Sequence, residues 1–111
     1  MIVYNVTVKI DQSRADEWLA WMRREHIPEV VGTGMFVGYR LLRIMDDEAA
    51  EEGMTYAVQY TSAGQGPFDK YLRTYAADLQ QKHKERFGGS YVAIRTLMQV
   101  VEERTLFASE S

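Results

Sequence analysis

The chain has no cysteine among its 111 residues, and it has only two histidines and two prolines. The absence of cysteine excludes disulfide bonds, thiol catalysis and thiolate metal sites. The two histidines, His26 and His83, stand far apart, in a spacing that matches no metal-ligand motif. We therefore expect neither a metal site nor a bound cofactor.

Excess positive charge and long apolar runs are also missing. The net charge is −3, so the chain lacks the overall electrostatic footprint of a nucleic-acid-binding protein. No apolar stretch approaches the roughly 20 residues that cross a bilayer. Apolar and polar residues alternate from the first residues of the chain, whereas a signal peptide has a basic segment followed by an apolar run. These features predict a cytoplasmic protein that binds neither nucleic acid nor membranes.

The residues that are present indicate a folded domain, since 46% are hydrophobic and 26% are charged. Apolar–polar alternation predicts strands, and apolar residues three and four apart predict helices. A helix capped by Asp11 or Ser13 is expected to end near Pro28, and Gly88 ends a second helix. The predicted strands cover 2–10, 35–45, 54–62 and 90–103, with one helix after the first strand and one after the third.

This order, βαββαβ, is that of an α+β ferredoxin-like fold, a four-stranded antiparallel sheet with two helices on one face. We expect one domain over residues 1–103 and a flexible tail over 104–111. The acidic stretch 46–52 is expected to be a solvated loop between the second and third strands.

Alternation along each strand assigns side chains to the two faces of the sheet. The more apolar set is expected to meet the helices: Ile2, Tyr4, Val6, Val8, Val37, Tyr39, Leu41, Tyr56, Val58, Tyr60, Val92, Ile94, Met98 and Val100. The opposite set is mixed: Val3, Asn5, Thr7, Phe36, Arg40, Leu42, Ile44, Ala57, Gln59, Tyr91, Arg95, Leu97 and Gln99. Because an exposed patch of this kind marks an interface or a ligand site, we expect two copies to pack sheet to sheet as a homodimeric α/β barrel.

The segments "YNVTVK", "HIPEV", "YRLLR", "TYAVQY" and "RTLMQVV" together resemble a bacterial family of short proteins described only as a domain of unknown function. That family resembles the dimeric α/β-barrel superfamily, which includes cofactor-free monooxygenases, lactone isomerases, haem-degrading enzymes and proteins without known activity. The resemblance implies the fold that the strand order also predicts. It carries over no catalytic residue, because a fold does not determine a function.

His26 is the candidate catalytic residue. With the first helix ending near Glu29, His26 falls in the last turn, where the helix dipole favours a partly protonated imidazole. A structural histidine packed under Trp18 or Trp21 is one interpretation, and a general acid or base at the rim of a cavity is the other.

Five further residues are candidate ligand-binding groups: Arg40, Arg95, Gln59, Gln99 and Asn5. The two arginines are expected on the open face, where they hold an anionic group by paired hydrogen bonds or form ion pairs across a dimer. The amide side chains of Gln59, Gln99 and Asn5 either complete the polar lining of a ligand site or form hydrogen bonds between subunits.

The leading hypothesis is a protein that binds a small anionic or aromatic metabolite, between the sheet and the helices or at the dimer face. One alternative, which the resemblance implies, is a cofactor-independent enzyme similar to monooxygenases or isomerases. The other is a self-association module without a ligand. A cavity of roughly 300 Å³ or more, with His26 or Arg40 at its wall, favours ligand binding.

Overall fold

The architecture was obtained as a computed structural model that describes residues 1–46 and 51–106. The strands are β1 (Ile2–Asp11), β2 (Gly38–Arg43), β3 (Gly53–Ser62) and β4 (Tyr91–Gln99). The helices are α1 (Ala15–Trp21), α2 (Ile27–Val31), α3 (Gln65–Thr74) and α4 (Ala76–Phe87). A 3-10 turn (Gln12–Arg14) precedes α1, and a π-helical turn (Met22–His26) joins α1 to α2.

The four strands form one antiparallel sheet in the order β2-β3-β1-β4. The central strand β1 pairs with β3 along its whole length, from Ile2 opposite Ser62 to Asp11 opposite Gly53. The helices cover one face of the sheet, and the core lies between them and the strands. The predicted fold class is therefore confirmed.

Aromatic side chains make up much of this core. Trp18 and Phe87 are fully buried, and the Tyr4 ring lies between the rings of Phe68 and Tyr60 at centroid distances of 5.2 and 6.3 Å. The strand residues Val8, Ile10 and Val58 are also inaccessible to solvent. Burial of such side chains contributes about 1.5–3 kcal/mol each, so this layer dominates the stability of the fold.

The first helical region continues past Pro28, contrary to the expectation that this proline ends it. Proline lacks an N–H donor and its ring obstructs the carbonyl four residues earlier. Here Pro28 stands at the start of α2, directly after the π-helical turn, where the regular hydrogen-bond pattern is already interrupted. The helical region therefore ends only at Val31, before Gly32.

The side chains of β4 face opposite to the prediction. Arg95 pairs with Val6 and Leu97 with Tyr4, so Tyr91, Arg95, Leu97 and Gln99 share the helix-covered face. Val92, Ile94 and Met98 lie on the open face instead. Because β4 carries apolar residues at both parities, its composition does not identify the inner face, and only the register with β1 decides it.

Residues just before β2 also depart from the predicted faces. Phe36, expected on the open face, is buried in the core with its ring 4.8 Å from that of Tyr71. Val37, expected under the helices, is 64% exposed. Both precede the first paired residue of β2, Gly38, so strand alternation does not apply to them.

The second helical region is divided in two at Tyr75, whose φ of −121° departs from helical geometry. Residues 47–50 of the expected acidic loop and 107–111 of the expected tail lie outside the described residues. Residues 101–106 are exposed and form neither helix nor strand. The division into a domain over 1–103 and a tail stays a prediction.

Candidate functional site

A small cavity lies between the sheet and the helices, and polar side chains reach into its otherwise apolar wall. Its volume is about 30 Å³, enough for one or two water molecules. The polar groups at its wall come from both layers: Tyr4, His26, Tyr60, Tyr71, Gln80, His83 and Arg95. The cavity is well below the volume that holds a metabolite, so a larger ligand requires its wall to open.

His26 is the last residue of the π-helical turn and is buried, with 8% of its surface exposed. Its ring stacks on Trp21 at a centroid distance of 4.9 Å. Its buried Nδ1 has no hydrogen-bond partner among the described residues. A buried polar atom without a partner is uncommon and costs about 1–3 kcal/mol, so this nitrogen is the most unusual feature of the site.

The pKa of His26 is lowered from 6.5 to about 4, mainly by burial, while the charge of Glu29 opposes the shift and that of Lys82 adds to it. The imidazole is therefore neutral at neutral pH. This corrects the expectation of a partly protonated histidine at a helix terminus. The helix runs on to Val31, so His26 lies inside the helical region and not at the end of its dipole.

His83, on α4, is the second buried imidazole of the site. Its Nε2 accepts a hydrogen bond of 2.9 Å from the indole Nε1 of Trp18, which places the proton of the neutral ring on Nδ1. The ring stacks on Tyr91 at 4.1 Å and lies 5.5 Å from the ring of His26. Burial, the neighbouring His26 and the charge of Arg95 together lower the pKa of His83 to about 4.

Two tyrosines complete the polar part of the cavity. Burial raises the pKa values of Tyr60 and Tyr71 well above 10, so both phenols stay protonated and able to donate hydrogen bonds. The cavity therefore combines neutral imidazoles with phenol groups in an environment from which solvent is largely excluded. Hydrogen bonds to a bound molecule are stronger there than in water.

Among the described residues at the wall of this cavity, Arg95 is the one cationic side chain. It lies on the helix-covered face of β4, opposite Val6. Its charge contributes to the lowered pKa of His83 and opposes the rise in the pKa of Tyr71 that burial causes. The expectation that Arg95 shares the open face with Arg40 is therefore wrong. The structure places Arg95 at the wall of the same cavity as His26 instead.

The remaining predicted site residues do not join this cavity. Arg40, Gln59 and Asn5 lie together on the open face, where Arg40 Nη2 donates to Gln59 Oε1 at 2.6 Å. Asn5 is buried and donates to Thr7 Oγ1 at 2.9 Å. Gln99 pairs with Ile2 at the end of β4. The predicted residues are therefore divided between the two faces of the sheet.

His83 and Trp18 were not among the predicted site residues. A sequence signal for His83 does exist, because it follows Leu79 by four residues and Tyr75 by eight, which places it on the buried face of α4. The hydrogen bond from Trp18 joins positions 65 residues apart, and no local pattern indicates such a pair.

The described residues contain no group of three or more histidine, aspartate or glutamate side chains placed to hold a metal ion. None of the described helices has both the length and the apolar character that crossing a membrane requires.

Several solved structures share this fold. A dimeric ferredoxin-like protein from an uncultured marine organism has a TM-score of 0.74 at 11% identity, with 93% of this chain and 97% of that chain covered. HapK from Hahella chejuensis has a TM-score of 0.67 at 13% identity, with 96% and 100% covered. SnoaB, a cofactor-independent oxygenase from Streptomyces nogalater, has a TM-score of 0.62 at 15% identity, with 92% and 95% covered.

These identities support a shared fold and nothing beyond it. One protein-family model, described as "Domain of unknown function (DUF4286)", matches residues 1–101. No curated protein matches the chain.

Proposed function

The chain belongs to the DUF4286 family, and we propose that it is a homodimeric protein that binds a small aromatic metabolite between its sheet and its helices. The observation that carries the proposal is the buried Nδ1 of His26, which lies at the wall of a cavity and has no hydrogen-bond partner in the part of the chain that the structure describes. A hydroxyl group of a bound molecule supplies the missing hydrogen bond.

The aromatic rings of Tyr4, Tyr60 and Tyr71 at the cavity wall favour a planar ligand. Arg95 favours a ligand that carries a carboxylate or an ionisable hydroxyl, since a guanidinium binds such groups by paired hydrogen bonds.

Binding in this cavity requires its wall to move, because about 30 Å³ is too small for a metabolite. Two parts of the wall favour such movement. Met22 belongs to the π-helical turn, and methionine side chains adapt easily to new shapes. Leu79 and Gln80 lie in the first turns of α4, next to the break at Tyr75. We propose that the ligand enters by displacing these side chains.

A second candidate function is cofactor-independent catalysis, as in the SnoaB neighbour. The neutral imidazole of His26 favours it, because a base in a largely dry site is able to take a proton from an acidic hydroxyl of the substrate. Arg95 then stabilises the oxyanion that forms. The pKa of about 4 restricts this step to substrates whose hydroxyl is itself acidic.

The proposal is tested by calorimetric titration with phenols and aromatic carboxylates, using the wild-type protein and three variants. We expect His26→Gln and Arg95→Gln each to weaken binding about tenfold or more, because each removes one polar contact in a buried site. Arg40→Gln is the matched control, since Arg40 lies on the other face of the sheet, and it should bind as the wild type does.

Two results would contradict ligand binding in the His26 cavity. One is the absence of heat from every compound in the series, which would favour the self-association module. The other is an ordered water on Nδ1 of His26 in a high-resolution crystal structure, combined with equal binding by all four proteins, which would place the binding site away from His26 and Arg95.

A further inference from the structure

An open groove of about 840 Å³ lies between the first helical region and the edge strand β2. Arg23 and Arg24 line its helical side, Arg43 lines its strand side, and Leu19 and Leu41 supply apolar surface. None of the described residues that line it is acidic. Among the described residues, none of the three arginines takes part in an ion pair or a side-chain hydrogen bond. The groove therefore carries positive charge that the described part of the chain does not neutralise.

The strand that borders this groove has a free edge. β2 stands at one end of the sheet and pairs only with β3 within the described part of the chain. Its side chains are well exposed, with Tyr39 at 51% and Leu42 at 37%. An edge strand presents unpaired N–H and C=O groups that can pair with an additional strand.

Residues 101–106 form an exposed segment that no other part of the described chain covers. Val101 is 92% exposed and Leu106 is 73% exposed. Between them stand Glu102, Glu103 and Arg104, and no hydrogen bond, ion pair or ring contact involves this segment among the described residues. Its six residues equal the length of β2, and at about 3.3 Å per residue an extended segment of this size matches that strand.

We propose that residues 101–106 of a second copy of this chain add to the free edge of β2 and lie along the arginine groove. The inference rests on the homodimer proposed above. In its own chain the segment follows β4, at the opposite edge of the sheet from β2. The segment that adds to the β2 edge therefore comes from a second copy and not from the same chain.

The charges of the two partners are complementary on both faces of the added strand. Successive residues of a strand point to opposite faces, so Glu102 and Glu103 face different sides. β2 also carries an arginine on each side, with Arg43 toward the groove and Arg40 on the open face. Each glutamate therefore meets an arginine whichever of the two faces the groove, while Val101 and Leu106 contact the apolar surface of the partner.

Cysteine cross-linking tests the contact directly, because the natural chain contains no cysteine. We expect Val101→Cys, combined in turn with Tyr39→Cys, Leu41→Cys or Arg43→Cys, to give a disulfide-linked dimer with at least one of the three partners. The measurement is non-reducing gel electrophoresis after mild oxidation. Val101→Cys combined with Leu72→Cys, on the exposed side of α3, is the matched control and should stay unlinked.

Charge reversal tests the same contact without a cross-link. Glu102→Lys with Glu103→Lys should raise the dimer dissociation constant about tenfold, as expected for charged pairs at an interface. Adding Arg40→Glu and Arg43→Glu, which reverses the arginine on each face of β2, should restore most of the affinity. Glu85→Lys, on the exposed surface of α4, should leave it unchanged.

The outcomes separate this inference from the proposed function. A wild-type chain that sediments as a monomer contradicts the homodimer itself. A wild-type dimer in which no cysteine pair cross-links, and in which charge reversal has no effect or no rescue, overturns the docking of residues 101–106 alone. Ligand binding by the His26 cavity is measured independently of both.

Discussion

At the scale of single residues, the protein buries two imidazoles that must stay neutral. His26 and His83 lie among Trp18, Trp21 and Tyr91, and only His83 has a hydrogen bond from a described side chain. Protonating either ring places a positive charge in a poorly solvated site, within reach of the charge of Arg95 or Lys82. The same burial that suits these rings to a bound molecule therefore makes the fold sensitive to acid.

The stability of the protein is expected to fall as the pH drops from about 6.5 to about 4. The pKa of His26 is about 4 in the folded state and 6.5 in the reference state, so the unfolded chain binds more protons in this interval and is favoured as the pH falls. The full effect is on the order of 3 kcal/mol for this histidine. Urea unfolding of the wild type and His26→Gln at pH 7.5 and pH 4.5 measures it.

Carboxylates titrate in the same interval, but they do so in both proteins, so the difference between them isolates His26. We expect the loss of unfolding free energy between the two pH values to be smaller in His26→Gln. An equal loss in the two proteins would show that His26 titrates normally and is not buried as described.

At the scale of elements, close approach between strands determines which backbone positions tolerate a side chain. Gly53 begins β3 opposite Asp11, and a Cβ added there would lie 2.6 Å from the carbonyl oxygen of Ile10. Gly38 begins β2, and a Cβ added there meets no atom within 4 Å. The close approach of β1 therefore excludes a side chain at Gly53, whereas a side chain at Gly38 would meet no neighbouring atom.

Gly53→Ala is expected to lower the free energy of unfolding by about 2 kcal/mol, because the new methyl group forces the central strand and its neighbour apart. The control Gly38→Ala should change it by no more than about 0.5 kcal/mol, because a Cβ added there meets no atom within 4 Å. Chemical denaturation of both variants measures the difference. Equal effects would contradict the register between β1 and β3.

At the scale of the whole molecule, the open face of the sheet remains to be covered. Val92 and Ile94 are 66% and 67% exposed there, Met98 is exposed on the same strand, and Leu42 is exposed on β2 at the other edge of the sheet. Arg40, Asn5 and Gln59 form the polar part of the same face. Packing this face against a second copy removes apolar surface from water at about 25 cal/mol per Å², which is the reason we propose a homodimer.

Ile94→Asp is expected to convert the dimer to a folded monomer, because it places a charge on the open face that the proposed interface buries. Leu72→Asp is the matched control, since Leu72 is an exposed large apolar residue on α3, away from the open face. Sedimentation equilibrium at micromolar concentration gives the oligomeric state, and circular dichroism verifies the fold. If both variants associate equally, the open face is not the interface.

The fold and much of its core were predictable from the sequence, for reasons that particular elements illustrate. β1 alternates strictly, so its inner residues Tyr4 and Val8 were assigned to the correct face. The aromatic residues of the second helical region follow helical spacing, and Phe68 and Tyr71 are buried as predicted. The candidate site was predictable only in part, because His26 lies at the cavity wall as expected, whereas Arg95, at the same wall, was predicted on the wrong face of the sheet.

The sequence by itself determined the order of the elements, the antiparallel α+β class and the mixed polarity of the sheet, because alternation and helical periodicity are local properties of the chain. Only the tertiary structure decided the face on which Arg95 lies, the pairing of His83 with Trp18 and the continuation of the helix through Pro28. Each of these depends on residues distant in sequence or on a hydrogen-bond pattern that regular periodicity does not encode. Register and burial are set when the layers pack, and they brought His26, His83 and Arg95 to one cavity.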